Sequence, residues 1–134
     1  MGCSQAKPAG TFVDQFVDPE HVFAALEGNA TLLLRASWLK AQDGPSCRLV
    51  RRGDALPSEA VITAGELREI WKRRKLHNGR KTALPLIAIS HYWRTEAHPD
   101  PNGDTLRLVA TTLRWRWREF TKHGVSDLGV FIDW

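Results

Sequence analysis

Leu106, Val109, Ala110, Leu113, Trp117 and Phe120 recur at i, i+3, i+4, i+7, i+11 and i+14, the spacing of one face of an α-helix. Short apolar runs flank this stretch, LPLIAIS at 84–90 and LGVFIDW at 128–134. The first reads as a central strand covered on both faces, and the second as another buried strand. Strand, helix, strand in that order forms a right-handed βαβ unit with a parallel pair. The expected fold class is therefore α/β, a partial open parallel sheet (the βαβ unit) with an N-terminal helical and loop region. Leu86–Ser90 and Gly129–Asp133 are expected to be adjacent parallel strands, joined by a helix that Asp104 caps and Gly124 ends.

The upstream part carries its own punctuation. Asp18-Pro19-Glu20 opens a helix, Val22, Phe23 and Leu26 give it an apolar face, and Gly28-Asn29 ends it. The apolar segment 30–40 is ambiguous; 31–35 reads as extended and 37–42 as helical. Gly44-Pro45, Gly53 and Pro57 make 41–59 mostly loop. Thr63 and Glu66 match a capping box, in which each side chain satisfies a backbone N–H near the other. Leu67, Ile70 and Trp71 form the buried stripe of that helix, and Asn78-Gly79 stops it. Three segments result: a disordered tail over 1–17, a helical and loop region with a basic cluster over 18–83, and the βαβ unit over 84–134.

The chain has 134 residues, 43% hydrophobic and 25% charged, the scale of one globular domain with a real core. No apolar run approaches the ~18 residues of a membrane span, and no secretory signal is visible. The net charge of +4 and the pI near 9.4 are basic, but below the level of a dedicated nucleic-acid binder. The excess sits in Lys72, Arg73, Arg74 and Lys75, with Arg80 and Lys81 following. Such a cluster is either a solvated helix face or a surface for an anionic partner. Cys3 and Cys47 form no Cys-x-x-Cys pair and no zinc spacing, which fits a reducing, cytoplasmic compartment.

Ser90, His91, Trp93 and Asp133 cluster at the carboxyl ends of the two strands, where open α/β sheets bind ligands or partners. Trp93 is expected to be buried as a plug beneath a loop returning over that edge. Ser90-His91 lacks the glycines of a nucleophile elbow, so a hydrolase is not expected. His91, His98 and Asp100 match no metal-ligand spacing, and neither a metal nor a cofactor is expected. Asp133 is either a ligand carboxylate or a partner for the Ser90 loop. In LRWRWREF, Trp115 and Trp117 point about 200° apart on a helix. Trp117 joins the core stripe; Trp115 is assigned chiefly to a second buried face, with a partner surface as the alternative.

The N-terminus carries the sharpest local motif. Removal of Met1 exposes Gly2 for myristoylation, and Cys3 beside it is a palmitoylation candidate, although Ala6 stands where Ser or Thr is usual. Two lipids, or one lipid and a basic patch, make a stable anchor. The alternative is an unmodified tail. The expected partners are a membrane surface reached through that acylation and a protein partner or second copy, rather than nucleic acid.

IAISHYW, a helix and then VFIDW resemble the opening of the heterokaryon-incompatibility (HET) domain, a family related in fold to Toll/interleukin-1 receptor (TIR) domains. Ser90, Trp93, Ile132 and Asp133 match the pattern, while His91-Tyr92 replaces the usual tyrosine and one following residue. The resemblance covers 84–134. Domains of that family continue through further strands and helices, and the catalytic glutamate of NAD-cleaving TIR domains lies further along. The resemblance therefore implies the N-terminal part of such a domain, with interaction or signalling as its role and no turnover from this 134-residue form. An NAD-cleaving enzyme fragment and a basic nucleic-acid-binding module are the alternatives.

Overall fold

A computed structural model describes residues 18–51, 53–73, 84–91 and 93–133. The order is α1 (Pro19–Glu27), β1 (Leu33–Arg35), α2 (Ala36–Lys40), a 3₁₀ turn (Ser58–Ala60), β2 (Val61–Ile62), α3 (Ala64–Arg73), β3 (Leu86–Ser90), α4 (Asp104–Phe120), a second 3₁₀ turn (Lys122–Gly124) and β4 (Gly129–Asp133). The fold is α/β. Four strands form one sheet in the order β2-β1-β4-β3. β3 and β4 are parallel, with Leu86 opposite Gly129 and Ser90 opposite Asp133. β1 runs antiparallel to both β4 and β2, so the sheet is mixed rather than wholly parallel. The segments 18–83 and 84–133 share it.

Strand alternation builds two cores from this one sheet. Leu34, Val130 and Ile132 face α2 and α4, where Leu39, Leu106, Val109 and Leu113 complete the larger core. Leu33 and Ile62 face the other way and pack with Phe23 of α1 and Leu67 of α3. The architecture is thus helix, sheet, helix in three layers. Fully burying a side chain such as Leu34 or Phe23 contributes about 1.5–3 kcal/mol.

The starts of α1 and α3 are fixed as the sequence suggests; that of α4 is not. The Asp18 carboxylate accepts from the Glu20 N–H at 3.0 Å. Thr63 Oγ1 accepts from the Glu66 N–H at 3.1 Å, and Glu66 Oε2 accepts from the Thr63 N–H at 2.8 Å, closing the capping box. Arg35 then ties β1 to this corner, donating to the Glu59 and Val61 carbonyls and to Glu66 at 2.7 Å. In α4, Asp104 is the first residue, not the cap. The N-cap position is Gly103, held at φ 74, and the carboxylate that serves the helix is Asp100. The sharp turn through Gly103 brings Asp100 back over the first N–H groups. At the other end Thr121 is the C-cap, and Gly124 belongs to the following 3₁₀ turn.

A second correction concerns β3. It pairs only with β4 among the described residues, so it is an edge strand rather than a central one. Ile87 and Ile89 pack on the larger core, while Ala88 and Ser90 are exposed. The run IAIS is a one-sided alternation whose outer positions carry small side chains. The stop signal at Asn78-Gly79 lies outside the described residues.

Two glycines separate backbone strain from collision. Gly103 and Gly53 both have positive φ, 74 and 90. A Cβ on Gly103 would collide with the Cys47 carbonyl oxygen, whereas a Cβ on Gly53 meets nothing within 4 Å. Gly103→Ala should therefore cost roughly 2 kcal/mol or more, and Gly53→Ala about 1 kcal/mol, as read from urea denaturation. Equal losses at the two positions would show that Gly103 is not packed against residue 47.

Candidate functional site

The carboxyl ends of the parallel pair define the edge to be examined. Because β1 is antiparallel to β4, the chain entering β1 arrives at the same edge where β4 ends. The loop around 50–56 rises beside it. Together they enclose a cleft of about 380 Å³, lined among others by Asn29, Thr31, Arg51, Asp54, Phe131 and Asp133. Its lining mixes apolar residues, among them Leu32, Val50 and Leu56, with the polar and charged ones. Arg51 and Asp54 make a fixed element of that lining. The Arg51 N–H donates to Asp54 at 2.8 Å and the guanidinium reaches the same carboxylate at 3.4 Å. The N–H bond from Arg51 is the largest influence on Asp54, and with the Arg51 charge it holds this carboxyl below its ordinary range.

Of the four residues expected at this edge, Ser90 and Asp133 are register partners on adjacent strands, both exposed, and Asp133 lines the cleft. His91 continues directly from β3, and its Nε2–H donates to the Pro99 carbonyl at 2.8 Å. Trp93 is not the buried plug expected: it is 39% exposed. The loop beyond it closes on itself, through Thr95 Oγ1 bonded to both the carbonyl and the N–H of His98. The buried residues of this loop are Pro99, whose carbonyl accepts from His91, and Asp100.

Asp100 entered the sequence analysis only as a metal-ligand candidate that matched no spacing. It is 1% exposed, yet its carboxylate has three backbone donors. Thr105 N–H donates at 3.0 Å, Leu106 N–H at 3.1 Å and Leu49 N–H at 3.2 Å. Its own N–H donates to His98 Nδ1 at 2.9 Å. Burial pulls this carboxyl upward, but the N–H groups of Thr105, Leu106 and Leu49 prevail, with a further contribution from His91, and it lies below the usual aspartate range. The imidazoles of His91 and His98 are both engaged within this loop. Among the described residues no group of three His, Cys, Asp or Glu side chains is placed to hold a metal. The signal that could have identified Asp100 is its spacing: an aspartate followed by a glycine turn and a helix start. Arg51 and Asp54 were missed because an i, i+3 ion pair across a glycine turn carries no functional signature.

The remaining candidates lie elsewhere. Lys72 and Arg73 are exposed at the end of α3, each within 4 Å of Glu69, as a solvated basic face would be. Arg74 and Lys75 lie outside the described residues, as do Gly2 and Cys3. Trp115, assigned chiefly to a buried face, is 87% exposed, with Leu108 on the same side of α4 at 68%. Trp117 does pack on the core and carries the Lys40 ammonium 4.0 Å from its ring centroid. No family model, curated protein or solved structure matches this chain.

Because the folded pKa of Asp100 lies below its unfolded value, its stabilisation is complete above the unfolded value, about 3.9, and is lost as the pH falls through the folded value. Asp100→Ala should cost roughly 3 kcal/mol at neutral pH, since three N–H groups lose their acceptor. Asp100→Asn should cost less and should also flatten the acid limb of stability against pH. An unchanged acid limb in the asparagine variant would show that other carboxylates carry it.

Proposed function

We propose that this chain is a membrane-associated, cytoplasmic interaction or signalling protein built on the N-terminal part of a HET/TIR-like domain. The observation that carries this reading is the outer face of α4. Its inner stripe is spent on the core, yet Trp115 and Leu108 stand in water two turns apart on the opposite side. A rigid helix that holds an indole and a leucine in solvent among charged side chains suits a boundary between polar and apolar media, such as a membrane surface. The family reading draws support from the parallel β3–β4 pair with α4 between them and from Ser90 lying opposite Asp133. Membrane attachment rests on Gly2 and Cys3; among the described residues no helix is long and apolar enough to cross a membrane.

The test of attachment is cell fractionation. The wild-type chain should sediment with membranes, Gly2→Ala should become soluble, and Cys3→Ser should bind weakly and reversibly, because one acyl chain is a marginal anchor. Identical partitioning of wild type and Gly2→Ala would mean that the tail is unmodified.

A second reading has its own observation, the cleft of about 380 Å³ beside Asp133. A cleft with mixed apolar and charged lining at the carboxyl end of a parallel strand suits a small ligand such as a nucleotide. Incubation of the purified chain with NAD should give no turnover; measurable cleavage that Asp133→Ala abolishes would favour the enzyme reading. The nucleic-acid alternative gains less, since Trp117 packs inward and leaves Trp115 as one aromatic where a stacking platform needs several.

A further inference from the structure

The charges around Trp115 divide into paired and unpaired sets. The two acids on the outer side of α4 are each taken by an arginine one turn away: Asp104 by Arg107, and Glu119 by Arg116 at 2.7 Å. Arg114 donates to the Lys40 carbonyl at 2.8 Å and so leans toward α2. Arg118 and Lys122 make no salt bridge within 4 Å among the described residues, although the Lys122 charge acts on Glu119, which Arg116 holds. Arg118 lies one turn beyond Trp115 on α4, and Lys122 follows the helix as the first residue of the 3₁₀ turn. With Trp115, Arg116 and Glu119 they line an open hollow of about 630 Å³. Residues 104–122 carry five basic side chains against two acidic ones, so the face is cationic around a protruding indole.

We propose that this outer face of α4 docks on an anionic lipid surface, with Trp115 and Leu108 at headgroup depth and Arg118 and Lys122 on the phosphates. The proposal rests on the membrane-associated reading above and specifies which surface meets the bilayer. A lipid occupant suits the face better than a protein. Two isolated apolar side chains separated by charged and polar positions make no continuous dry patch, and a standard protein interface needs about 800 Å² on each partner. A bilayer surface asks for less: an indole for the interfacial zone and cations that need no fixed geometry. The layers also decide between the two basic regions. α3 packs on one face of the sheet and α4 on the other, so Lys72 and Arg73 cannot share a planar surface with Trp115. The basic contact proposed here is therefore the α4 face rather than Lys72 and Arg73.

The test uses the full chain produced without acylation, so that Gly2 and Cys3 contribute nothing, sedimented with vesicles of phosphatidylcholine alone or with added phosphatidylserine. Binding should require phosphatidylserine and weaken with salt. Arg118→Gln and Lys122→Gln should each weaken it about fivefold, and Trp115→Ala by a similar or larger factor. All three side chains are exposed, so circular dichroism should be unchanged. The Lys72→Gln, Arg73→Gln double variant should bind as wild type. Absence of vesicle binding, or binding lost in the Lys72/Arg73 variant and retained in Trp115→Ala, would overturn the proposal. So would equal, Trp115-dependent binding to a poly-glutamate peptide with none to vesicles, which would assign the face to an acidic protein. Failure here leaves the acylation reading standing, because that reading is decided by the Gly2→Ala fractionation.

Discussion

A carboxylate with almost no access to water joins three separate pieces of this chain. Asp100 accepts from Leu49 in the long loop after α2 and from Thr105 and Leu106 at the start of α4, while its own backbone is held by His98. A buried, ionised group is costly unless its lone pairs are filled, and here three N–H groups and the amino end of a helix fill them. The arrangement works only because Gly103 turns through positive φ with the Cys47 carbonyl packed where a side chain would be. Remove the carboxylate, and the first turn of α4 and the Leu49 N–H lose their acceptor together. Leu49 is itself part of the larger core, so the clamp couples loop position to packing.

From that clamp the rest of the architecture can be followed. α4 is fixed at its amino end, its stripe lies on β4 and β3, and β4 occupies an interior position with β1 on its other side. Gly129 lets β4 approach closely: a Cβ there would stand 2.7 Å from Leu33 Cδ1. Asp127, just before β4, accepts from the Ser37 N–H at 3.1 Å and from the Leu128 N–H at 2.8 Å, and so starts α2 and β4 from one carboxylate. Two buried aspartates thus each begin a helix on the same side of the sheet. The consequence for function is that α4 is held rigidly by its inner face and its first turn. Its outer face, with Trp115, is free to make contacts.

Periodic signals were legible in the sequence and geometric ones were not. The α4 stripe, the Asp18 cap, the Thr63–Glu66 box and the parallel pairing of Leu86–Ser90 with Gly129–Asp133 all follow from spacing and composition, and all are present. The edge position of β3 was hidden because Ala88 and Ser90 are small enough to read as either buried or exposed. The cap of α4 was misassigned to Asp104 because a local rule looks one residue ahead of a helix, whereas Asp100 reaches it across a glycine turn. Trp93 was expected beneath a loop returning over the sheet edge, and Trp115 chiefly on a second buried face of α4, yet both are exposed. Burial of one side chain is decided by what covers it, and in the loop after Trp93 Pro99 and Asp100 are the buried residues instead. For the candidate site, Asp133 alone of the four strand-end residues lines the cleft, and Arg51, Asp54, Asn29 and Thr31 were not legible. A cleft made where three separate segments meet leaves no local pattern.

The central claim is that Asp100 clamps the 47–49 segment to the start of α4. Native-state hydrogen exchange at the Leu49, Thr105 and Leu106 amides tests it most directly. Leu49 and the first turn of α4 would ordinarily exchange early, as loop and helix-terminal N–H groups do. The clamp predicts that all three are protected to nearly the same free energy as the core amides, and that they lose protection together in Asp100→Asn. Exchange of Leu49 at the rate of its exposed loop neighbours, or loss of protection at Thr105 and Leu106 with Leu49 unaffected, would contradict it.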